Sequence, residues 1–413
     1  MLDPNETRLI PFNRPYAQDG EFRYIEQAIS RSHLSGDGIF TKTCHAWLER
    51  KLFCKKAWLT HSCTAALEMA ALLVDIEPGD EVIMPSYSFV STANAFVLRG
   101  GVPVFVDIRP DTMNLDETKI EDAITSRTKA LVPIHYAGVG CEMDTIMDIG
   151  YRNNLFVIED AAQGILSTYK NRPLGSIGHL GTLSFHETKN VTCGEGGALL
   201  VNEPRWIERA EIIREKGTNR SKFFRGEVDK YTWIDIGSSY LPSEITAAFL
   251  WAQLENAESI TRRRMKIWDL YHKAFEGLEA HGLLRRPIIP EDCQHNAHMY
   301  YLLLPNLQER TKVMKYLKGC DIHAVFHYVP LHTSGAGKKY GRAHGNLIQT
   351  DKASDELLRL PLWMGMSEKQ VIRVVDAVYE ALNLKCSDTI LDSIFFDDTD
   401  KAGVHTTAIG QQV

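Results

Sequence analysis

The chain has 413 residues, 44% of them hydrophobic and 24% charged, with a formal net charge of -7 at pH 7. That length suggests two domains, and a negative charge spread without long like-charge blocks argues against nucleic acid or an anionic membrane as the main partner. An anionic ligand would have to be held by a local site.

Cysteines at 44, 54, 63, 141, 193, 293, 320 and 386 include no CxxC pair. Neither a zinc ribbon nor a dithiol motif is written, no metal site is expected, and a reduced cytoplasmic chain fits best. The N-terminal MLDPNETRLIPFNRP has no basic n-region or apolar core, and nowhere do about 18 apolar residues run together, so neither export nor membrane spanning is expected.

In chain order, a Pro-bracketed piece at residues 10–15 leads to helical spacing over 21–30, a glycine turn at 35–38, and an amphipathic segment over 41–53. From 57 to 202, short apolar runs at 57–59, 81–84, 102–106, 130–134, 155–158, 182–185 and 198–201 alternate with helical stretches such as 65–74, 92–98 and 143–151. Such alternation predicts a mostly parallel sheet covered by helices on both faces, with ligands collecting at the carboxyl ends of its strands. Helices are expected over 205–216 and 243–258. The charged stretch Thr261-Arg262-Arg263-Arg264 reads as the lead into a linking helix over 265–278. Strands at 299–304 and 323–326 with helices at 309–318 and 369–382 suggest a small α+β domain. The expected division is 1–260 for a large domain with a helical lead-in, 261–384 for the small domain, and 385–413 for a polar tail.

Three strand ends carry candidate chemistry. Ser62-Cys63-Thr64-Ala65 stands where a strand gives way to a helix; small hydroxyl residues there suit a phosphate, or simple N-capping by Ser62 or Thr64. Pro85-Ser86-Tyr87-Ser88-Phe89 offers an aromatic to lie over a flat ring, although such aromatics are often core. Leu155-Phe156-Val157-Ile158 runs into Glu159 and Asp160, placing a carboxylate at the end of a buried strand, where it suits a cationic partner such as a pyridinium, or is simply a salt-bridged or helix-capping aspartate. Gln163 follows on the same loop. The fourth element is the stretch 181–202, GTLSFHETKNVTCGEGGALLVN, a strand, a loop holding Lys189, a glycine turn and a second strand. Alone, Lys189 reads as a solvated loop lysine; beside the other three it becomes a desolvated amine suited to Schiff-base chemistry.

With Ile10-Pro11-Phe12-Asn13, Ser184-Phe185-His186-Glu187-Thr188-Lys189-Asn190 and His327-Tyr328-Val329-Pro330-Leu331-His332, these segments resemble the DegT/DnrJ/EryC1/StrS sugar aminotransferases over about residues 8 to 383. The resemblance implies an α/β protein of aspartate-aminotransferase fold type I that uses pyridoxal 5'-phosphate. Carried over by position, it implies that Lys189 is the catalytic residue, joining the cofactor and then moving the proton between cofactor and substrate carbons. Asp160 would pair with the pyridine nitrogen, Gln163 with the phenolic oxygen and Phe89 with the ring face, while Cys63, Thr64 and Ser184 would bind the phosphate. Homodimers or homotetramers with shared sites are implied. Many members carry Gly-x-Asn-x-Arg where this chain has Gly237-Ser238-Ser239-Tyr240-Leu241, so Ser239 replaces the asparagine that reaches the neighbour's phosphate.

That variant, with the segments 135–144 and 184–190, is most similar to a branch making the amino sugar of enterobacterial common antigen. It implies L-glutamate as donor and a dTDP-4-keto-6-deoxyhexose as acceptor, aminated at C4 to dTDP-4-amino-4,6-dideoxy-D-galactose. Lys216 and Arg220, within a cationic stretch that a solvated helix face explains equally well, and His327 and Tyr328 are candidate substrate residues. Other readings stay open: a different nucleotide keto-sugar, aminated at C3 or with other C4 stereochemistry, or a catalytically silent sugar-nucleotide-binding regulator of the same fold. Related 3-dehydratases replace the lysine by histidine, against which Lys189 argues. A zinc hydrolase is suggested only by His186-Glu187, an HExxH left incomplete by Asn190.

Overall fold

A computed structural model describes residues 8–17 and 19–385. Its strands are β1 Lys56–Thr60, β2 Glu81–Pro85, β3 Val102–Val106, β4 Thr128–Leu131, β5 Phe156–Asp160, β6 Thr168–Tyr169, β7 Arg172–Pro173, β8 Leu180–Ser184, β9 Gly197–Val201, β10 Cys293–Gln294, β11 Tyr300–Leu303, β12 Arg342–Ala343 and β13 Leu357–Leu360. Eight of them form one sheet in the order β1-β9-β8-β5-β4-β2-β3-β12. β9 is antiparallel to both neighbours and the remaining pairs are parallel. β2, β8 and β9 are buried at every position, as expected of strands with helices on both faces. The carboxyl ends of β1, β2, β5 and β8 therefore share an edge with the amino end of β9.

The helices Cys63–Leu73, Val90–Val97 and Met143–Arg152 follow β1, β2 and β4 and cover the sheet. The helix Ile39–Leu52 lacks a side-chain cap of its own. Instead, the carboxylate of Glu244 accepts from the N–H groups of Gly38, Phe40 and Thr41 at 3.0, 2.9 and 3.0 Å, placing a negative charge on its positive end. A second core is built from Ile267, Tyr271, Tyr300, Leu302, Val374 and Val378, with Ile10 inserted from the start of the chain.

Three local expectations change. The run 323–326 forms no strand: Ile322 and Val325 make only isolated bridges, to Ile10 and Arg359. The helix expected from residue 265 begins at Ala257 and continues to Ala274, because nothing in Thr261-Arg262-Arg263-Arg264 breaks it. β4 stops at Leu131, although the N–H of Val132 still donates to Ile83 at 2.8 Å. The tail lies outside the described residues from 386 onward. Among the described residues no helix is long and apolar enough to cross a membrane.

β12 is tied to the sheet edge by charge as well as by its ladder. Glu81 accepts from Arg342 at 3.0 and 2.8 Å, from Thr125 at 2.8 Å and from Arg127 at 2.6 Å. The Arg342 hydrogen bonds, with help from Thr125 and Arg127 against the cost of burial, push its carboxyl from 4.5 down to about 2. A lowered carboxyl pKa gives stability that is present above the unfolded value and lost as pH falls toward the folded one. Chemical denaturation followed from pH 6 downward should therefore lose stability between about 4.5 and 2, and Glu81→Gln should flatten that limb. An unchanged limb in the variant would exclude this clamp as its source.

Candidate active site

A cavity of about 780 Å³ opens at the shared strand edge. It is lined by Cys63, Thr64, Phe89, Asp160, Gln163, Ser184, Lys189, His327 and Tyr328, all of them singled out in the sequence.

One end is a helix start. Ser62 caps the helix Cys63–Leu73 by accepting from the N–H of Ala65 at 3.1 Å, so the capping reading of this motif is correct. Capping does not use up the site, because the N–H groups of Cys63 and Thr64 lie in the first turn and have no acceptor within the helix. Gly197 lets β9 pass directly beneath them: a Cβ there would overlap the backbone of Ser62 and Cys63. Thr64 donates to Ser91 at 2.8 Å, and Ser184, last residue of β8, is buried beside them. Amides at the positive end of a helix, ringed by hydroxyls, can hold a phosphate. Burial pushes the Cys63 thiol well up and keeps it protonated, so no negative charge competes.

Phe89 is not core. It is 59% exposed immediately before the helix Val90–Val97, presenting its ring at the cavity wall.

Asp160, last residue of β5, is 5% exposed. It accepts from Thr92 Oγ1 at 2.7 Å and from the N–H of Ala162 at 3.1 Å, and no cation pairs with it among the described residues. A buried carboxylate in that state calls for a cationic ligand group. Gln163 accepts from the N–H of Ala137 at 2.7 Å and donates to Tyr328 Oη at 3.0 Å, which fixes its amide orientation.

Lys189 sits in the β8–β9 hairpin loop. The loop is closed by Phe185 N–H to Gly196 O at 2.8 Å, Glu187 N–H to Gly194 O at 2.8 Å and Cys193 N–H to Phe185 O at 2.9 Å. Its side chain borders the cavity but is otherwise packed within protein, and this desolvation lowers its pKa from the usual lysine value. The Asp160 carboxylate opposes the shift and Arg359 adds to it. Desolvation therefore makes the neutral, nucleophilic amine easier to reach.

Ser239, Lys216 and Arg220 do not line this cavity. Lys216 and Arg220 are exposed, Arg220 with its guanidinium 5.1 Å from the Phe224 ring, and Ser239 is exposed where it bridges to Glu215. They share an outward loop with Phe224 and Trp233, 68% and 78% exposed.

Among the lining residues that were not singled out in the sequence are two arginines and a histidine, Arg264, Arg359 and His298. Arg264 donates to Ala297 O at 3.1 Å and to His298 O at 2.8 Å, and burial lowers its pKa to about 9. His298 Nδ1 bonds Asn190 Oδ1 at 3.0 Å, next to Lys189, and Asn190 in turn donates to Asn296 O at 2.8 Å. Burial, with the charges of Lys189, Arg264 and Arg359, holds the His298 imidazole neutral. Only the helical phase of Arg264 would have marked it, as the arginine of its run turned inward.

A helix start with free amides, an unpaired buried carboxylate and a desolvated lysine around one cavity fit the phosphate, the ring nitrogen and the carbonyl carbon of pyridoxal phosphate. The model described as the DegT/DnrJ/EryC1/StrS aminotransferase family matches residues 16–379. The chain is similar to the spore coat polysaccharide biosynthesis protein SpsC of Bacillus subtilis, 32% identical over 380 residues, which cover 89% of this chain and 96% of that protein. Among solved structures, S. venezuelae DesV in complex with a ketimine intermediate superposes with a TM-score of 0.83 at 28% identity, covering 91% of this chain and 98% of that one. The aminotransferase TlmJ from Streptoalloteichus hindustanus superposes with a TM-score of 0.83 at 27% identity, covering 91% and 99%.

Proposed function

The chain belongs to the DegT/DnrJ/EryC1/StrS aminotransferase family of pyridoxal-phosphate-dependent sugar aminotransferases, and from that premise we propose that it transfers the amino group of L-glutamate to C4 of dTDP-4-keto-6-deoxy-D-glucose. The products are 2-oxoglutarate and dTDP-4-amino-4,6-dideoxy-D-galactose, made in the cytoplasm for polysaccharide assembly such as enterobacterial common antigen. The observation that carries the reading is the convergence of Lys189, the unpaired Asp160 and the start of the helix Cys63–Leu73 on one cavity.

Bound pyridoxal phosphate supplies a carbonyl that condenses with amines and a ring that accepts the electrons of a breaking C–H bond. The amides of Cys63 and Thr64, with Ser184 Oγ, hold the phosphate. Asp160 keeps a proton on the ring nitrogen, and Thr92 and the amide of Ala162 hold that carboxylate in place. Phe89 covers a ring face. Gln163 turns its amide N–H toward the phenolic oxygen. Lys189, its amine made available by desolvation, would take up the proton that leaves the donor carbon and, in the second half of the cycle, would deliver a proton to C4 of the sugar. His327 and Tyr328, on the facing wall, meet the sugar.

In this reading residues 1–260 hold the cofactor and 261–384 supply the opposite wall. Two or four copies assemble, and the outward loop carries Ser239 toward a neighbour's phosphate and Lys216 and Arg220 toward the nucleotide. The exposure of that loop and of its aromatic residues supports this arrangement.

Purified protein supplied with L-glutamate and a panel of nucleotide 3-keto and 4-keto sugars should form 2-oxoglutarate with the dTDP-4-keto sugar and yield the galacto-configured amine. Turnover of 3-keto sugars alone would overturn the C4 assignment, and a gluco-configured product the stereochemistry. A purified protein with neither chromophore nor turnover would point instead to a sugar-nucleotide-binding regulator.

A further inference from the structure

The chain crosses from one core to another along the wall of the cavity. Ile322 and Ala324 belong to the second core and Leu331 to a core of the large sheet, so residues 325–330 form a strap between them. His327 and Tyr328, in the middle of that strap, line the cavity. Where the strap leaves the second core, Val325 and Arg359 exchange backbone hydrogen bonds at 3.1 and 2.8 Å. Two side-chain ties hold its middle, Tyr136 Oη to His327 Nδ1 at 2.6 Å and Gln163 to Tyr328 Oη at 3.0 Å.

Where the strap lands, a single residue receives it three times. Ser86, the first residue after β2, accepts from the N–H of Leu331 through its carbonyl at 3.0 Å and from the N–H of His332 through Oγ at 3.0 Å. Oγ also bonds His332 Nδ1 at 2.8 Å. Ser86 is fully buried and has no other side-chain acceptor among the described residues, so its one hydroxyl proton goes to Nδ1. The ring proton then sits on Nε2, which faces Asp351 at 3.5 Å. Neither Ser86 nor His332 borders the cavity, so whatever they do to a substrate they do through the strap. Ser86 also stands three residues before Phe89, and the strand end that sends out the ring cover is therefore the one that receives the strap.

We infer that Ser86, acting on His332, is a positioning residue for the sugar half of the reaction: it fixes where the strap lands and hence where His327 and Tyr328 meet the acceptor. This rests on the reading of those two residues as sugar contacts. The donor half relies on Lys189, Asp160 and the helix start, which are held from the large sheet, and does not depend on this latch.

The two half-reactions can be followed separately in the cofactor-loaded protein by the change in visible absorption, first with L-glutamate and then with the keto sugar that the wild type turns over. Ser86→Ala should raise the half-saturating sugar concentration about tenfold, since a buried hydrogen bond is lost and its partner left unsatisfied. The glutamate half and the absorption of the bound cofactor should stay at wild-type values. His332→Leu should reproduce the loss. His332→Asn should recover most of it, because its amide oxygen can take the serine proton in place of Nδ1. An unchanged sugar half in Ser86→Ala, equal losses in both halves, or a His332→Asn no better than His332→Leu would each overturn the inference, the second in favour of a general role in folding. A wild-type protein that reacts with glutamate but with no keto sugar would instead bring down the sugar reading itself.

Discussion

Lys189→Ala is expected to abolish the visible, borohydride-sensitive absorption of the purified protein and to lower turnover by at least about 10³-fold. The expectation follows from how the residue is held. The β8–β9 hairpin fixes its own backbone through Phe185, Glu187 and Cys193, so removing the Lys189 side chain leaves the loop closed. No second lysine lines the cavity among the described residues, and the neighbouring His298 is spoken for by Asn190 through Nδ1. Circular dichroism should be unchanged, since the truncated atoms border open space. A variant that keeps the absorption band would place the cofactor linkage elsewhere.

Asp160→Asn is expected to cost about 10² to 10³-fold in kcat while leaving the protein folded and able to bind cofactor, the range seen when one preorganised electrostatic partner is removed. The amide oxygen can still accept from the N–H of Ala162, and the NH2 that replaces the other oxygen can donate to the Thr92 hydroxyl in place of accepting from it, so the side chain stays anchored while its charge is lost. Without that charge the ring nitrogen has no reason to stay protonated, and the electron sink weakens. Steady-state kinetics with saturating glutamate and keto sugar measure the effect. Activity within a few-fold of wild type would mean that the carboxylate serves the fold rather than the ring.

The cofactor end of the site was legible because each part is chemical punctuation at a strand end. A run of apolar residues breaking into Glu159-Asp160, a hydroxyl-rich helix start at 62–64, and a lysine between strand and glycine turn are local patterns. Local patterns become joint ones once an alternating sheet puts all strand ends on one edge. The structure also divides the readings of single motifs: Ser62 does cap its helix, while Phe89 stands in the cavity wall rather than in a core.

The opposite wall was not legible, and the reason is distance along the chain. Arg264, His298 and Arg359 come from a helix, a loop and a strand of the second core, and each is set against Lys189 only by tertiary packing. Thr261-Arg262-Arg263-Arg264 reads in the sequence as a charged lead into a linking helix that starts at residue 265. The helix runs through them from Ala257, and its phase buries Arg264 while Arg262 faces water. β12 escaped for a different reason: two residues long, it pairs with β3 and is held by the Glu81 clamp, neither of which a short polar segment announces.

The central claim is that this cavity is a pyridoxal-phosphate site built on Lys189, and borohydride reduction of the purified protein followed by peptide mass mapping tests it most directly. One pyridoxyl adduct per chain, on the peptide carrying Lys189 and absent from Lys189→Ala, is the predicted result. No adduct, or an adduct on another lysine with Lys189 unmodified, would contradict it.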